Sequence, residues 1–208
     1  MKKDSLLLYA ITDSMWLNGR KLKDDVEKAI LGGATMIQLR EKSLNDNDFI
    51  ELAFEIKEVC KKYNVPFIIN DNLNVCKAVD ADGIHVGQDD LNAKYLREKL
   101  GPNKIIGVSA RTVEEAKKAI LDGANYLGVG AMFSTNTKTD AKVVSVEELK
   151  NIVSLGCPVV IIGGIKKDNI NLFKNTGISG VSVVSAIFAE KDIIESTKKL
   201  KEEVLKYI

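Results

Sequence analysis

The fold of this chain is decided by a unit seen at residues 32–42, Gly32-Gly33-Ala34-Thr35-Met36-Ile37-Gln38-Leu39-Arg40-Glu41-Lys42. Two glycines end a helix, a short apolar run follows as a strand, and polar residues come after it. Side chains alternate between two faces of a strand, so Gln38, Arg40 and Lys42 share one face. Three donors at one strand end predict a bound anion, because the planar fork of arginine bonds phosphate bidentately. The alternative is a solvated charge run at the start of a loop.

The same unit recurs eight times along the chain. The apolar runs predict strands at Leu6–Ile11, Met36–Leu39, Val65–Ile69, Gly83–Val86, Lys104–Val108, Asn125–Val129, Pro158–Ile162 and Gly180–Val184. Helical spacing between them predicts helices at Lys21–Leu31, Asp46–Tyr63, Leu73–Val79, Lys94–Leu100, Thr112–Ile120, Ser145–Val153, Asp168–Asn175 and Lys191–Tyr207. Capping boxes open the helices at Thr112 and Ser145.

Eight strand–helix units without a linker predict one α/β domain over residues 1–208. The expected architecture is a closed (β/α)8 TIM barrel, near the minimal length for that fold. An open, doubly wound sheet is the alternative. The residues after the first strand, Ile11-Thr12-Asp13-Ser14, lack the glycine-rich fingerprint of such sheets, which argues against it.

Composition excludes several classes of partner. The 208 residues carry 30 Lys and Arg against 29 Asp and Glu, a net charge of +1, so no global field favours nucleic acid or an anionic membrane. The apolar run ending at Ile11 is too short for a signal peptide, and no run reaches the length of a membrane span. The three cysteines, Cys60, Cys76 and Cys157, are far apart and predict reduced thiols. We therefore expect a cytoplasmic protein without nucleic-acid or membrane partners.

Polar or small residues follow almost every predicted strand. The segments are Thr12-Asp13, Gln38 to Lys42, Asn70-Asp71-Asn72, Gly87 to Asp90, Ser109-Ala110-Arg111, Gly130 to Lys138, Gly163-Gly164-Ile165 and Ser185-Ala186-Ile187. In a (β/α)8 barrel the carboxyl ends of the strands form one mouth, where the chemistry takes place. Together these segments predict a mouth that binds ligands.

Two aspartates, Asp71 and Asp90, follow adjacent strands. Mg²⁺ takes oxygen ligands, often one or two carboxylates together with phosphate oxygens of a substrate. The pair would suit a Mg²⁺–diphosphate beside Arg40 and Lys42. Alternatively, Asp71 caps the short helix that follows it.

A second anion site is predicted at Gly163-Gly164 and Ser185, after the last two strands, where such barrels bind phosphate. The alternative for the glycines is a plain tight turn. Thr135-Asn136-Thr137-Lys138 could hold the free end of a diphosphate, or could form a solvated loop. Two anion sites at one mouth suggest two phosphorylated substrates. His85, the single histidine, has either a structural role, a hydrogen bond to substrate or a base role.

Taken together, these segments closely resemble the thiamine-phosphate synthase family. The resemblance covers nearly the whole chain and rests on Tyr9–Asp13, Ile37–Lys42, Ile69–Asp71, Asp82–Asp90, Gly107–Ser109, Thr135–Ala141 and Ile162–Ile165. It implies that a hydroxymethylpyrimidine diphosphate is joined to a thiazole phosphate, giving thiamine phosphate and diphosphate. A dissociative displacement of this kind needs positioning more than a strong protein base.

The resemblance also implies the roles of individual residues. Asp71 and Asp90 would hold Mg²⁺. Arg40, Lys42, Ser109 and Lys138 would be catalytic, with the three cations stabilising the departing diphosphate. The pyrimidine diphosphate would be bound by Gln38, Arg40, Lys42, Asn70, Ser109 and Lys138, and the thiazole phosphate by Thr135, Thr137, Gly164, Val184 and Ser185.

The sequence departs from the family at two positions. Asn72 stands where arginine is common, which leaves one cation fewer near the diphosphate, and Ala131 stands where proline is common. The alternatives are a related thiazole tautomerase and a non-catalytic sensor of a thiamine precursor, neither of which needs the metal carboxylates. We expect small-molecule partners, with a homodimer as the candidate oligomer.

Overall fold

A computed structural model describes residues 3–134 and 143–208. In these residues, eight parallel strands pair in chain order, and the eighth pairs with the first, so the barrel is closed. The strands are β1 (Leu8–Ile11), β2 (Met36–Leu39), β3 (Phe67–Asn70), β4 (Gly83–Val86), β5 (Ile105–Ala110), β6 (Tyr126–Val129), β7 (Val159–Ile162) and β8 (Gly180–Val183). The predicted TIM barrel is confirmed.

Helices alternate with the strands around the barrel. They are α1 (Leu22–Gly32), α2 (Asp46–Lys62), α3 (Leu73–Ala78), α4 (Ala93–Leu100), α5 (Val113–Leu121), α6 (Val146–Val153), α7 (Ser185–Phe188) and α8 (Ile193–Tyr207). Gly33 ends α1 with a φ of 109°, a left-handed conformation that glycine adopts without strain. Short 3-10 helices lie at Lys3–Leu6, Ser14–Trp16 and Ile170–Phe173.

The predicted helix at Asp168–Asn175 is wrong. The chain there forms only the 3-10 helix Ile170–Phe173, because the side chain of Asn169 bonds the preceding loop. Its Oδ1 accepts from the backbone N–H of Lys166 at 2.9 Å, and its Nδ2 donates to the carbonyl of Gly164 at 3.0 Å. An asparagine that bonds backbone outside the helix competes with helix formation. The short helix α7 was not predicted.

Several strand bounds also differ from the prediction. β1 starts at Leu8, not Leu6, because the preceding residues form a 3-10 helix. β3 runs from Phe67 to Asn70, and Pro66, which has no N–H, stays outside it. β5 continues to Ala110, so Ser109 belongs to the strand rather than to the loop.

The capping boxes are only half formed. Thr112 and Ser145 accept hydrogen bonds from the third residue of their helices, as predicted. In place of the reciprocal bonds, Glu115 accepts from the N–H of Arg111, and Glu148 accepts from the N–H of Val113 on the neighbouring helix. Glu148 therefore connects α5 to α6 instead of closing its own capping box.

Strand alternation creates two cores. Tyr9, Met36, Ile68, Tyr126 and Val160 pack together inside the barrel, while Leu39 and the other alternate residues pack against the helices. Gln38 is buried and bonds Tyr9 inside the barrel, so the predicted separation of Gln38 from Leu39 is confirmed. Among the described residues, no helix combines the length and the apolar character needed to cross a bilayer.

Candidate active site at the mouth of the barrel

The two basic residues after β2 each hold a carboxylate from a neighbouring strand end. Arg40 Nη1 donates to Asp13 Oδ2 at 2.8 Å, and its backbone N–H donates to Thr12 Oγ1 at 3.0 Å. Lys42 Nζ lies 2.5 Å from Asp71 Oδ2, beyond β3. Three consecutive strand ends are thus connected by ion pairs at the rim.

The carboxylates of Asp71 and Asp90 lie close enough for their charges to interact. Burial raises the pKa of Asp71, the Lys42 ammonium lowers it, and the nearby Asp90 carboxylate raises it again. Asp90 Oδ2 accepts from the N–H of Gly87 at 2.8 Å, and Asn70 Nδ2 donates to Asp71 Oδ1 at 2.8 Å. These bonds fix the position of both carboxylates.

The alternative role of Asp71 as a helix cap is wrong. Asp71 has a φ of 58° and turns the chain sharply after β3. Asn72 is the cap instead: its Oδ1 accepts from the N–H of Val75 at 3.0 Å. Its Nδ2 donates to Asp46 at 2.8 Å. Asn72, which departs from the family pattern, therefore has a structural role, and Asp71 keeps its carboxylate at the mouth.

The pair fits a hard divalent cation. Both groups supply oxygen, and two like charges held close together are stabilised by a cation between them. Within residues 3–134 and 143–208, no cluster of three or more His, Cys, Asp and Glu side chains is arranged to hold a metal. Hard divalent cations at phosphate sites are often held by one or two carboxylates together with water and substrate oxygens.

A chain of hydrogen bonds crosses the barrel below the rim. Gln38 Nε2 donates to the hydroxyl oxygen of Tyr9 at 2.6 Å, and the hydroxyls of Tyr9 and Tyr126 lie 2.9 Å apart. The Tyr126 hydroxyl lies 2.9 Å from His85 Nδ1, and His85 Nε2 lies 3.0 Å from Ser109 Oγ. This chain, termed the interior relay, links two predicted substrate-binding residues that lie three strands apart.

Burial keeps the interior relay uncharged. It lowers the pKa of His85 to about 4 and raises the pKa of both tyrosines. At neutral pH the imidazole therefore carries no charge and is a weak candidate for a general base. The relay needs space as well: a Cβ at Gly107 would lie 2.1 Å from Tyr126 Cζ and 2.5 Å from His85 Nδ1.

On the opposite side of the mouth, the loops after β6 and β7 are bonded to each other. The N–H of Phe133 donates to the carbonyl of Gly163 at 3.1 Å. Gly163 and Gly164 have φ values of 93° and 67°, and a Cβ on Gly164 would lie 2.8 Å from Phe133 Cβ. Glycine is required at both positions by backbone conformation and by close approach.

The predicted phosphate residues after β8 lie at the start of α7. Val184 precedes the helix and Ser185 is its first residue. A cleft of about 420 Å³ opens beside Ser185, and its charged lining consists of Lys166, Lys167, Asp168, Glu190 and Lys199. Thr135, Thr137 and Lys138, the other predicted residues on this side, lie outside the described residues.

Five residues at the mouth and in the barrel interior received no role from the sequence: Asp13, Tyr9, Tyr126, Ser14 and Glu41. Asp13 orients Arg40 through their ion pair, and Tyr9 and Tyr126 form the centre of the relay. Ser14 donates to Glu41 Oε2 at 3.1 Å, and burial raises the pKa of that glutamate. Tyrosines inside apolar strands were the available signal, because a buried hydroxyl needs a partner.

Comparison with known proteins agrees with the resemblance. The sequence model of the family described as thiamine monophosphate synthase matches residues 8–187. A thiamine-phosphate synthase from Ruminiclostridium cellulolyticum is 52% identical over 196 residues, covering 94% of this chain and 93% of the relative. Another from Clostridium botulinum is 49% identical over 197 residues, covering 94% and 92%.

A solved structure gives the same result. Thiamine phosphate pyrophosphorylase from Pyrococcus furiosus superposes with a TM-score of 0.91 at 37% identity, covering 99% of this chain and 98% of that one. Fold, family match and relatives thus agree along almost the full length. The chain belongs to the thiamine monophosphate synthase family, and it is a transferase of thiamine biosynthesis built on a TIM barrel.

Proposed function

We propose that this enzyme joins 4-amino-2-methyl-5-hydroxymethylpyrimidine diphosphate to 4-methyl-5-(2-phosphoethyl)thiazole, with Mg²⁺ as the cofactor. The products are thiamine phosphate and diphosphate. The observation that carries the proposal is the pairing of Asp71 with Asp90 beside the cation Lys42. A site with two carboxylates and adjacent cations suits a substrate that brings a metal-bound diphosphate.

Arg40 and Lys42 would bind the leaving diphosphate. In the structure, Arg40 pairs with Asp13 and Lys42 pairs with Asp71, so both cations are held in place before substrate binds. Negative charge grows on the diphosphate as the carbon–oxygen bond breaks, and preorganised cations stabilise it without further reorganisation. Lys138 is proposed to act with them.

Asp71 and Asp90 would hold the Mg²⁺. When bound, the metal supplies charge neutralisation to the diphosphate oxygens. Asn70 donates to Asp71 and to the carbonyl of His85, at 2.8 and 3.3 Å, so it keeps the carboxylate oriented at the mouth.

Gln38 and Ser109 would bind and orient the pyrimidine. The diphosphate would leave first with the electrons of the broken carbon–oxygen bond, and the electron pair of the thiazole nitrogen would then form the bond to the cationic pyrimidine methylene carbon. No proton transfer is required. A mouth with cations and amides but a neutral histidine suits this step, which depends on positioning.

The thiazole phosphate is proposed to bind to Gly164, Val184 and Ser185, together with Thr135 and Thr137. Backbone N–H groups at a helix start and in glycine turns are ordinary phosphate ligands. Three lysines and two carboxylates, Asp168 and Glu190, line the cleft beside Ser185, which leaves a net charge of +1 on its lining.

The test is direct. Purified protein with both substrates and Mg²⁺ should form thiamine phosphate, identified by mass spectrometry. Omitting Mg²⁺ or adding a chelator should stop the reaction. Absence of product with both substrates present would refute the proposal, and conversion of a thiazole isomer alone would favour a tautomerase instead.

A further inference from the structure

The hydrogen atoms of the interior relay can be assigned from its geometry. A hydroxyl carries one hydrogen, so each tyrosine can donate to only one neighbour. The Tyr9 oxygen already accepts from Gln38 Nε2. If Tyr126 also donated to Tyr9, the Tyr9 hydrogen would have no acceptor in the described interior, and a buried unmade hydrogen bond is costly. Tyr9 therefore donates to Tyr126.

The assignment then continues to the other end. Tyr126 accepts from Tyr9, so its own hydrogen goes to His85 Nδ1, 2.9 Å away. A neutral imidazole whose Nδ1 accepts carries its hydrogen on Nε2. Nε2 lies 3.0 Å from Ser109 Oγ and donates to it. Every hydrogen bond of the relay thus runs from Gln38 toward Ser109.

We propose that Tyr9, Tyr126 and His85 are positioning residues, which fix Gln38 as a hydrogen-bond acceptor and Ser109 as a donor toward an aminopyrimidine. Because Gln38 Nε2 donates to Tyr9, the side-chain carbonyl oxygen of Gln38 is available to accept a hydrogen bond from the substrate. Ser109 accepts from His85, so its hydroxyl hydrogen is available. An aminopyrimidine edge is complementary, because its amino group donates and the adjacent ring nitrogen accepts. The inference rests on the proposed function for the identity of the substrate.

The packing leaves room for the rings of the relay. Gly107 and Gly128 leave the space that the Tyr126 and His85 rings occupy, and a Cβ at Gly128 would lie 3.0 Å from His85 Cε1. The backbone carbonyl of Ser109 accepts from Gln88 Nε2 at 2.6 Å, which fixes the backbone at the donor end. A side chain at either glycine would displace the rings from the positions in which they form the relay.

The first test needs no substrate. The chain has a single histidine, so tag-free ¹⁵N-labelled protein gives one pair of imidazole nitrogen signals by NMR. At neutral pH we expect a protonated Nε2 and an unprotonated Nδ1. A protonated Nδ1 would reverse the relay and overturn the proposal. This result holds whether or not the protein makes thiamine phosphate.

The second test uses Tyr126→Phe, which removes the central hydroxyl and keeps the ring. We expect the KM for the pyrimidine diphosphate to rise about tenfold, with the KM for the thiazole phosphate unchanged. Tyr63→Phe is the matched control, since its hydroxyl bonds only Glu27 among the described residues, at 2.8 Å, outside the barrel. Equal changes in both KM values, or no change, would contradict a positioning role.

A further variant covers the case in which Tyr126→Phe does not fold. Tyr9→Phe breaks the relay between Gln38 and Tyr126 and should give the same selective rise in the pyrimidine KM. If the wild-type enzyme forms no product at all, the proposed function fails, and the NMR experiment still decides the direction of the relay.

Discussion

Asp71→Asn should separate catalysis from stability. Asn is nearly the same shape as Asp and tolerates the φ of 58° at this position, so the turn after β3 should persist. Burial and the Asp90 charge raise the pKa of Asp71, which means that the fold disfavours its negative charge. Removing that charge should change the free energy of unfolding by less than about 1 kcal/mol, since the pair with Lys42 is partly exposed.

Activity should fall steeply in the same variant. Groups that only orient metal ligands are worth about 10- to 100-fold, so a direct ligand should be worth at least about 100-fold. That loss corresponds to about 2.7 kcal/mol of transition-state stabilisation. The assay is kcat/KM for the pyrimidine diphosphate over a series of Mg²⁺ concentrations, and part of the loss should be recovered at high Mg²⁺.

Asp80→Asn is the matched control. Asp80 has a φ of 48° and an ammonium partner, Lys104, at 2.5 Å, but it lies before β4 at the opposite end of the barrel. Lys104 lowers its pKa, so here the fold favours the charge. The control should lose a little stability and keep full activity. If Asp71→Asn kept the wild-type rate and Mg²⁺ dependence, Asp71 would not be a metal ligand.

Three further predictions follow from the geometry. Arg40→Lys should raise the KM for the pyrimidine diphosphate about tenfold, because an ammonium cannot bond Asp13 and a phosphate with the same planar fork; an unchanged KM in steady-state assays would contradict this. Gly107→Ala should cost more than about 2 kcal/mol in denaturant unfolding, because its Cβ would lie 2.1 Å from Tyr126, and an unchanged midpoint would contradict the packing described. The His85 imidazole should titrate near pH 4 by NMR rather than near 6.5. Because its pKa is depressed on folding, its contribution to stability is full above about pH 6.5 and is lost as the pH falls toward 4; a midpoint near 6.5 would contradict the burial of the ring.

Strand positions were predictable because they depend on local patterns. Apolar runs of four to six residues with polar ends predicted all eight strands, and alternation predicted that Gln38 and Leu39 lie on opposite faces of β2. The segment Asp168–Asn175 failed because its spacing is helical while Asn169 bonds the preceding loop. Whether the Asn169 side chain bonds the backbone of the preceding loop depends on where that loop lies, and the spacing of apolar residues does not specify this.

The interior relay could not be predicted because it depends on register between strands. Tyr9 and Tyr126 lie on strands 117 residues apart, and their hydroxyls meet only when the barrel closes. Asp71 and Asn72 show a similar limit. Both residue types cap helices, and the left-handed turn at Asp71 is what assigns the cap to Asn72.

The central claim is that the enzyme couples diphosphate release to joining the two rings. The most direct measurement counts diphosphate and thiamine phosphate in one reaction with both substrates and Mg²⁺, and repeats it without the thiazole phosphate. The account predicts one diphosphate for each thiamine phosphate, and no sustained release when the thiazole phosphate is omitted. Diphosphate release without thiamine phosphate, or neither product with all components present, would contradict it.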